Sequence, residues 1–411
     1  MKSFSFQNKE LHAESVLVTD LMEEYGSPLY IYSKNQIEFN WKKLENSFGA
    51  QSHLICYAVK ANSNLHILSL LSKLGSGFDV VSGNELKRCI RAGADKSKIV
   101  FSGVAKSYDE IKYAIESDIL SINIESLGEF ERILRIAKDL NKSVNCALRV
   151  NPDITINSHK YIQTGSKTSK FGLSKDAVKQ ISELSKEGKH LNITTIACHI
   201  GSQISDENLI LNSLDFISEI ADDLRSNGHN IEYLDIGGGL GIRYKDEDLG
   251  DPQILLTQVN DRLKGKDYKI ILEPGRSIVG TSGILVTQIE YIKDAGDKKF
   301  AIIDAGMNDL IRPSLYEAWH GVKEVEQKNI EVATYDLAGP VCETGDVLAK
   351  DRELRILPND YLAIMDVGAY GSVMASNYNS RSKPTELLVS DDKVQVIKRR
   401  ENFEDLIALE T

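Results

Sequence analysis

From about residue 54 the 411-residue chain repeats one pattern eight times: a short β-branched or apolar run, a loop, then a helical stretch that begins polar and returns apolar side chains at 3.6-residue spacing. The runs are HLICYAVK (53–60), GFDVVS (77–82), KIVFSG (98–103), ILSINIES (119–126), SVNCALRVN (143–151), NITTIACHI (192–200), IEYLDIGGG (231–239) and YKIILEP (268–274). Helical stretches follow seven of them, among them GEFERILRIAKDLN (128–141) and ENLILNSLDFISEIADDLRSNG (207–228). Near-continuous apolar strands joined by helical crossovers suit a parallel sheet buried on both faces. An open doubly wound sheet also alternates β and α, but a count of eight favours a closed, TIM-type (β/α)8 barrel.

After about residue 280 the rhythm changes. GILVTQIEYIKD, KKFAIIDAG, IEVATYDLAG, YLAIMDVGAYG and ELLVSDDKVQVIKRR read as strands without helices between them, which makes a second, C-terminal and mainly antiparallel β domain. SPLYIYS, ahead of the first barrel repeat, is a further strand that could join either unit. The expected division is a barrel over 36–280, and a sandwich-like or barrel-like β domain built from 1–35 plus 281–411.

Charge and cysteine usage narrow the partners. Forty-nine Lys and Arg against 60 Asp and Glu give a net charge of −11, the wrong sign for gripping nucleic acid, although a small anionic ligand needs only a few local donors. Five scattered cysteines without a CxxC pair fit neither a disulfide framework nor a zinc ribbon. No HExxH or comparable spacing points to a metal. The first residues lack a signal-peptide core and no stretch approaches membrane-spanning length, so the expectation is a cytoplasmic protein with no membrane partner.

Barrel enzymes carry their chemistry at the C-terminal ends of the strands, with anion sites often built after strands 7 and 8. Here strand 1 ends in Lys60, strand 2 carries Asp79 and ends near Ser82, strand 6 ends in His199, strand 7 in Gly237, Gly238 and Gly239, and strand 8 in Glu273, Pro274, Gly275 and Arg276. Lys60 could be a desolvated nucleophilic amine, or a lysine that snorkels outward or pairs with a carboxylate. The triple glycine could cradle a phosphate or simply turn the chain. His199 could stack on a ligand, act as a base or sit satisfied in the core, and Glu273 could face a ring nitrogen or pair with Arg276. In the β domain GPVCETGD places Cys342 and Glu343 in a polar turn, an odd home for a core thiol, while Tyr370 (DVGAYGS), Arg312 and Tyr316 (IRPSLY) lie in loop contexts.

Taken together, YAVKAN (57–62), FDVVSGNE (78–85), NPD with TGSKTSKFG (151–153, 164–172), HIGSQ (199–203), DIGGGLG (235–241), EPGR (273–276), IRPSLY (311–316), GPVCETGD (339–346) and GAYG with SNYN (368–371, 376–379) resemble the fold-type III, alanine racemase-like decarboxylases that use pyridoxal 5′-phosphate (PLP). The resemblance implies that Lys60 carries PLP covalently, with Asp79 nearby, and that His199 stacks on its ring. It also implies that Glu273 faces the pyridine nitrogen, and that Ser202, Gly238, Gly239, Pro274, Gly275, Arg276 and Tyr370 complete the cofactor site. Cys342 becomes the proton donor, and Arg276, Arg312, Tyr316, Glu343 and Tyr370 bind the amino-acid substrate. In similar proteins the Cys342–Glu343 loop reaches the neighbouring subunit's site, which implies a homodimer. Two stretches depart from the family pattern: ITINSHKYIQ after NPD lacks the usual His-Pro step, and SNYNSRSKP replaces SNYN followed closely by Arg-Pro.

Glu343 and Arg312 favour a substrate with a distal carboxylate and ammonium, so the implied activity is decarboxylation of meso-2,6-diaminopimelate to L-lysine, the last step of lysine synthesis. The alternatives on the same scaffold are decarboxylation of ornithine, arginine or carboxynorspermidine. A racemase needs a base on each face of the ring. A non-catalytic PLP carrier would lack the long C-terminal β domain that this chain keeps.

Overall fold

The computed structural model describes residues 3–153, 170–186 and 188–411. Residues 154–169, which hold ITINSHKYIQ and the start of TGSKTSKFG, lie outside the described residues. The chain forms two units: Trp41–Ile242 with Asp248–Ser277, and Met1–Asn40 with Arg243–Glu247 and Ile278–Thr411.

The first unit is a closed parallel barrel whose eight strands follow chain order: His53–Ala58, Gly77–Val80, Ile99–Phe101, Ser121–Ile124, Val144–Arg149, Leu191–Ala197, Tyr233–Asp235 and Lys269–Leu272. It closes where Ile270, Ile271 and Leu272 pair with His53, Leu54 and Ile55. All eight sequence runs become strands, and Lys60, His199, Glu273 and Arg276 follow closely on the C-terminal ends of strands 1, 6 and 8. Helices begin where a short polar side chain caps them. Ser82 accepts from the Glu85 N–H, Ser107 forms a reciprocal capping box with Glu110, and Asp206 and Asp251 cap the helices Glu207–Ser226 and Pro252–Arg262. These caps fix the length of each strand-to-helix loop, and those loops form the barrel mouth. Inside, Cys56, Val100 and Ile271 pack in one buried cluster, so Cys56 is a core thiol whose burial pushes its pKa well up.

The second unit is organised by one long strand, Gly283–Asp294. Its first half pairs antiparallel with Leu29–Ser33 on one side and Tyr361–Ile364 on the other, and its second half pairs antiparallel with Lys299–Ile303. Lys299–Ile303 continues parallel to Ala333–Ala338 and then antiparallel to Val347–Leu354, while Leu29–Ser33 runs parallel to Thr385–Ser390 and its hairpin partner Lys393–Lys398. SPLYIYS therefore joins this unit as a central strand, buried on both faces. Its Leu29 and Ile31 pack with Ile284, Val286, Leu387 and Val389 in the core.

Val322–Glu324 and Val347–Leu354 are strands that the sequence pattern does not reveal, because one is three residues long and the other, VLAKDREL, is broken by charges. The expectation of no intervening helix is corrected by Arg312–Tyr316, a short helix opened by Arg312-Pro313. A small three-stranded sheet, Phe4–Gln7, Glu10–Ala13 and Val16–Leu17, precedes the helix Val18–Tyr25. Among the described residues no helix is long and apolar enough to cross a membrane.

Candidate active site

In the barrel unit, Lys60 sits in a one-turn 3-10 segment, Val59–Ala61, directly after strand 1. Its Nζ lies 3.0 Å from Asp79 Oδ2, and Asp79 is fully buried in strand 2, in register with Ala58. The amine is thus ion-paired rather than isolated, with its side chain 36% exposed. Of the alternatives the sequence leaves open, pairing with a carboxylate is the one seen here. Beside this pair, burial pushes the Glu85 carboxyl up to about 7, opposed by the N–H of Val81, which donates to Glu85 Oε2 at 2.7 Å.

His199 follows strand 6. The Gly238 N–H donates to its Nδ1 at 3.1 Å, so the ring proton resides on Nε2. Burial, reinforced by the charges of Lys60 and Arg149, holds its pKa well below the usual 6.5. The result is a neutral imidazole of fixed tautomer, suited to presenting a flat face to a ring.

Glu273, just past strand 8, is buried beside Asp235 at the end of strand 7. Desolvation first, then the negative charges of Asp235 and Asp79, raise the Glu273 pKa well above the carboxylate range, and desolvation pushes Asp235 up to about 7. Asp235 Oδ1 accepts from the Gly237 N–H at 2.9 Å, whereas Asp235 Oδ2 and Glu273 Oε1 are buried with no donor from any group but each other's carboxyl among the described residues. Two such carboxyls attract a shared proton, and a cationic ring N–H placed at Glu273 supplies the donor that it lacks.

The backbone beside them is shaped for close approach. A Cβ at Gly238 would collide with the Glu273 carbonyl oxygen, and Gly239, at φ +94°, would collide with that of Gly201. Gly275 leaves room for Ala58 and Ala61, and the Pro274 carbonyl receives the Ala58 N–H at 3.0 Å. Arg276 Nη2 donates to Ser202 Oγ at 2.9 Å, which joins the loops after strands 6 and 8. The Gln203 amide ties the loop after strand 7 by donating to the Ile242 carbonyl at 2.6 Å and accepting from its N–H at 3.2 Å. Lys60, Asp79, His199, Ser202, Gly238, Gly239, Glu273, Pro274, Gly275 and Arg276 therefore all belong to one barrel mouth. An amine, a neutral imidazole face, a donor-starved carboxyl, and glycine amides with an arginine match the reactive carbon, ring, ring nitrogen and phosphate of PLP.

In the β unit, the Gly339–Asp346 turn wraps around the buried Asp346 carboxylate, which accepts the N–H groups of Val341 at 2.7 Å and Met307 at 2.6 Å. Cys342 and Glu343 stand exposed on this braced turn, the Cys342 N–H donating to Asn379 Oδ1 at 3.0 Å and Glu343 Oε1 accepting from the Tyr378 hydroxyl at 2.6 Å. Arg312 is buried and Tyr316, four residues on, is half-buried. Tyr370 holds a left-handed backbone, φ 58°, which a bulky side chain adopts only under constraint from its surroundings.

Sequence reasoning gave no role to Asp235, Tyr378, Asn379 or a buried charge network behind the barrel mouth. In that network Glu125 Oε1 receives Arg149 at 2.7 Å and the Gly103 N–H at 3.2 Å, its Oε2 receives the Gly172 N–H at 3.0 Å, and Lys106 pairs with Glu129 at 2.9 Å. The readable signal for Asp235 is a carboxylate that closes an apolar strand two residues before three glycines. Tyr378 and Asn379 fall within SNYN, but nothing local links them to the Cys342–Glu343 turn.

Barrel, glycine cradle and paired lysine define a pyridoxal phosphate-type barrel enzyme. A family model described as the pyridoxal-binding domain of pyridoxal-dependent decarboxylases matches residues 34–280. The diaminopimelate decarboxylase of Pseudomonas aeruginosa is 43% identical over 411 residues, all of this chain and 99% of that protein, and the one from Haemophilus influenzae is 44% identical over 413 residues, the whole of both. The crystal structure of the Helicobacter pylori diaminopimelate decarboxylase complexed with L-lysine superposes with a TM-score of 0.93 at 42% identity, covering 96% of this chain and 99% of that one. The chain belongs to the pyridoxal-dependent decarboxylases and, within them, to the diaminopimelate decarboxylase family.

Proposed function

We propose that this chain decarboxylates meso-2,6-diaminopimelate to L-lysine and carbon dioxide as a cytoplasmic homodimer, at the last step of lysine synthesis. The observation that carries the reading is the Lys60–Asp79 pair at the mouth of a barrel that also holds the donor-starved Glu273 and the neutral His199. Full-length kinship with diaminopimelate decarboxylases supports the choice of substrate. Four buried free thiols among five cysteines fit a reducing compartment.

In this reading Lys60 holds PLP covalently, His199 covers the ring, Glu273 partners the ring nitrogen, and Gly238, Gly239, Gly275, Arg276 and Ser202 hold the phosphate, with Tyr370 beside them. Bound PLP supplies the electron sink for the pair released when the Cα–carboxylate bond breaks. Arg312 takes the substrate's distal carboxylate in a bidentate grip, Glu343 takes its distal ammonium, and Tyr316, Tyr370 and Arg276 complete the pocket. Carbon dioxide leaves, and the Cys342 Sγ–H delivers the replacing proton to Cα. Cys342 and Glu343 act in the partner's barrel; an exposed turn braced from within by Asp346 suits that task.

The test is carbon dioxide release by the purified holoenzyme with meso-diaminopimelate, ornithine, arginine and carboxynorspermidine. Turnover of meso-diaminopimelate at least about tenfold more efficient than any other supports the reading. Preference for ornithine, or interconversion of enantiomers without carbon dioxide, overturns it.

A further inference from the structure

Arg312 is gripped from two sides by residues that carry no assigned role. Its Nη1 lies 2.8 Å from Nε2 of His320, and its guanidinium stands 4.7 Å from the centre of the Tyr244 ring. Tyr244 meets the His320 ring edge-on at 5.2 Å, which closes a triangle. His320 is fully buried, and Arg312 and Tyr244 are nearly so.

The protonation state of this His320 follows from its partners. Its Nδ1 is 2.8 Å from the Met365 carbonyl oxygen, which can only accept, so Nδ1 carries the proton. Nε2 then offers a lone pair, and Arg312, which can only donate, fills it. A second proton on Nε2 would face the N–H of Arg312. The imidazole is therefore a fixed neutral acceptor, and the Arg352 guanidinium holds it in place by donating to the His320 carbonyl at 3.0 Å.

Tyr244 reaches Arg312 because Arg243–Glu247, within the loop after strand 7, belongs to the β unit. Glu247 Oε2 accepts the N–H groups of Tyr244 and Lys245, each at 2.8 Å, which fixes the turn. Of the five N–H donors on Arg312, His320 takes one, and the Tyr244 ring sets the plane of the rest.

We infer that His320 and Tyr244 are positioning residues that aim Arg312 at the distal carboxylate of the substrate and so set the selectivity for a substrate with two carboxylates. The inference rests on the proposed role of Arg312. A swivelling guanidinium offers a carboxylate one hydrogen bond at a time, whereas a fixed one presents the two-pronged fork.

The experiment uses the PLP-loaded enzyme turning over meso-diaminopimelate, with L-lysine and 1,5-diaminopentane as competing inhibitors, since the two differ only in the carboxylate that Arg312 would hold. In His320→Leu and Tyr244→Leu, inhibition by L-lysine weakens about tenfold or more, while that by 1,5-diaminopentane stays within about twofold. His320→Gln, whose amide oxygen can accept from Arg312, recovers most of the loss. Equal weakening toward both inhibitors, or no weakening, overturns the inference. Arg312→Lys separates the two levels: if it erases the preference for L-lysine but His320→Leu does not, only the positioning role fails. If Arg312→Lys leaves the preference intact, the assignment of Arg312 falls, and this inference with it. Should His320→Leu fail to retain PLP absorbance, Tyr244→Leu and His320→Gln decide, with wild-type preference in Tyr244→Leu counting against the inference.

Discussion

Asp235 and Glu273 bury their carboxyls within hydrogen-bonding reach of each other at the ends of barrel strands 7 and 8, and among the described residues no third group donates to Asp235 Oδ2 or Glu273 Oε1. Both groups are easier to protonate in the fold than in the unfolded chain. Their stabilising contribution is therefore complete below the unfolded value, about 4, and is lost as pH rises, for Asp235 through about 7 and for Glu273 through a folded value well above the carboxylate range. In cofactor-free protein the wild-type Tm should fall across that window relative to Asp235→Asn, whose amide carries no charge. Parallel profiles of the two proteins in differential scanning calorimetry would count against a shared proton.

Gly238→Ala places a methyl group against the Glu273 carbonyl oxygen, which is backbone and cannot swing away. The expected cost is about 1–3 kcal/mol or more of stability, together with displacement of Glu273. Measured by PLP absorbance after desalting, the variant should release cofactor that the wild type retains. Full retention with an unchanged Tm would mean that this approach is looser than the geometry indicates.

Cys342 is exposed on a turn braced by Asp346, so Cys342→Ala should fold normally and keep the cofactor spectrum while kcat falls by about 10²-fold or more. Lys60→Ala should lose covalent PLP, seen as cofactor that borohydride no longer fixes to the chain. If the two residues serve one site from different subunits, mixing these inactive proteins should restore activity, up to about one quarter of wild type for random exchange in a two-fold dimer. A mixture that stays inactive after subunit exchange, shown by tagged copies co-purifying, would place both residues in one subunit's site.

Glu125 ties Arg149 to the backbone of Gly103 and Gly172 from within a buried setting. Glu125→Leu leaves the Arg149 cation behind and should cost about 3–5 kcal/mol, read as a shift in the urea midpoint. The double variant Glu125→Leu/Arg149→Met removes both charges and should recover part of that loss. Equal midpoints for wild type and Glu125→Leu would show that the pair contributes little.

The barrel was legible because each strand had to be apolar on both faces, and because each helix began with a capping side chain such as Ser82 or Ser107. Lys60, His199 and Glu273 were legible for the same reason: each is a polar residue that ends an apolar run. The partners of these groups were harder to read. Asp235 looked like part of a glycine turn, and whether Lys60 stood alone or paired with Asp79 depended on a register between strands that one strand's sequence does not contain. Tyr244 was invisible because the excursion of Arg243–Glu247 into the β unit leaves no local pattern, and His320 because its contacts with Arg312 and Met365 are set by folding rather than by local spacing. The strand Val347–Leu354 was missed because its exposed face carries Lys350, Asp351 and Glu353, which break the apolar run.

The central strand Leu29–Ser33 has a consequence for how the chain is made. It lies between Gly283–Val286 and Thr385–Val389, partners synthesised long after it. The barrel strands and their helices emerge in spatial order, so that unit can assemble while synthesis continues. The β unit must keep an early strand, wholly buried in the fold, waiting until nearly the whole chain has left the ribosome. LYIYS thus stays exposed in the nascent protein, without either of its sheet neighbours, for most of synthesis.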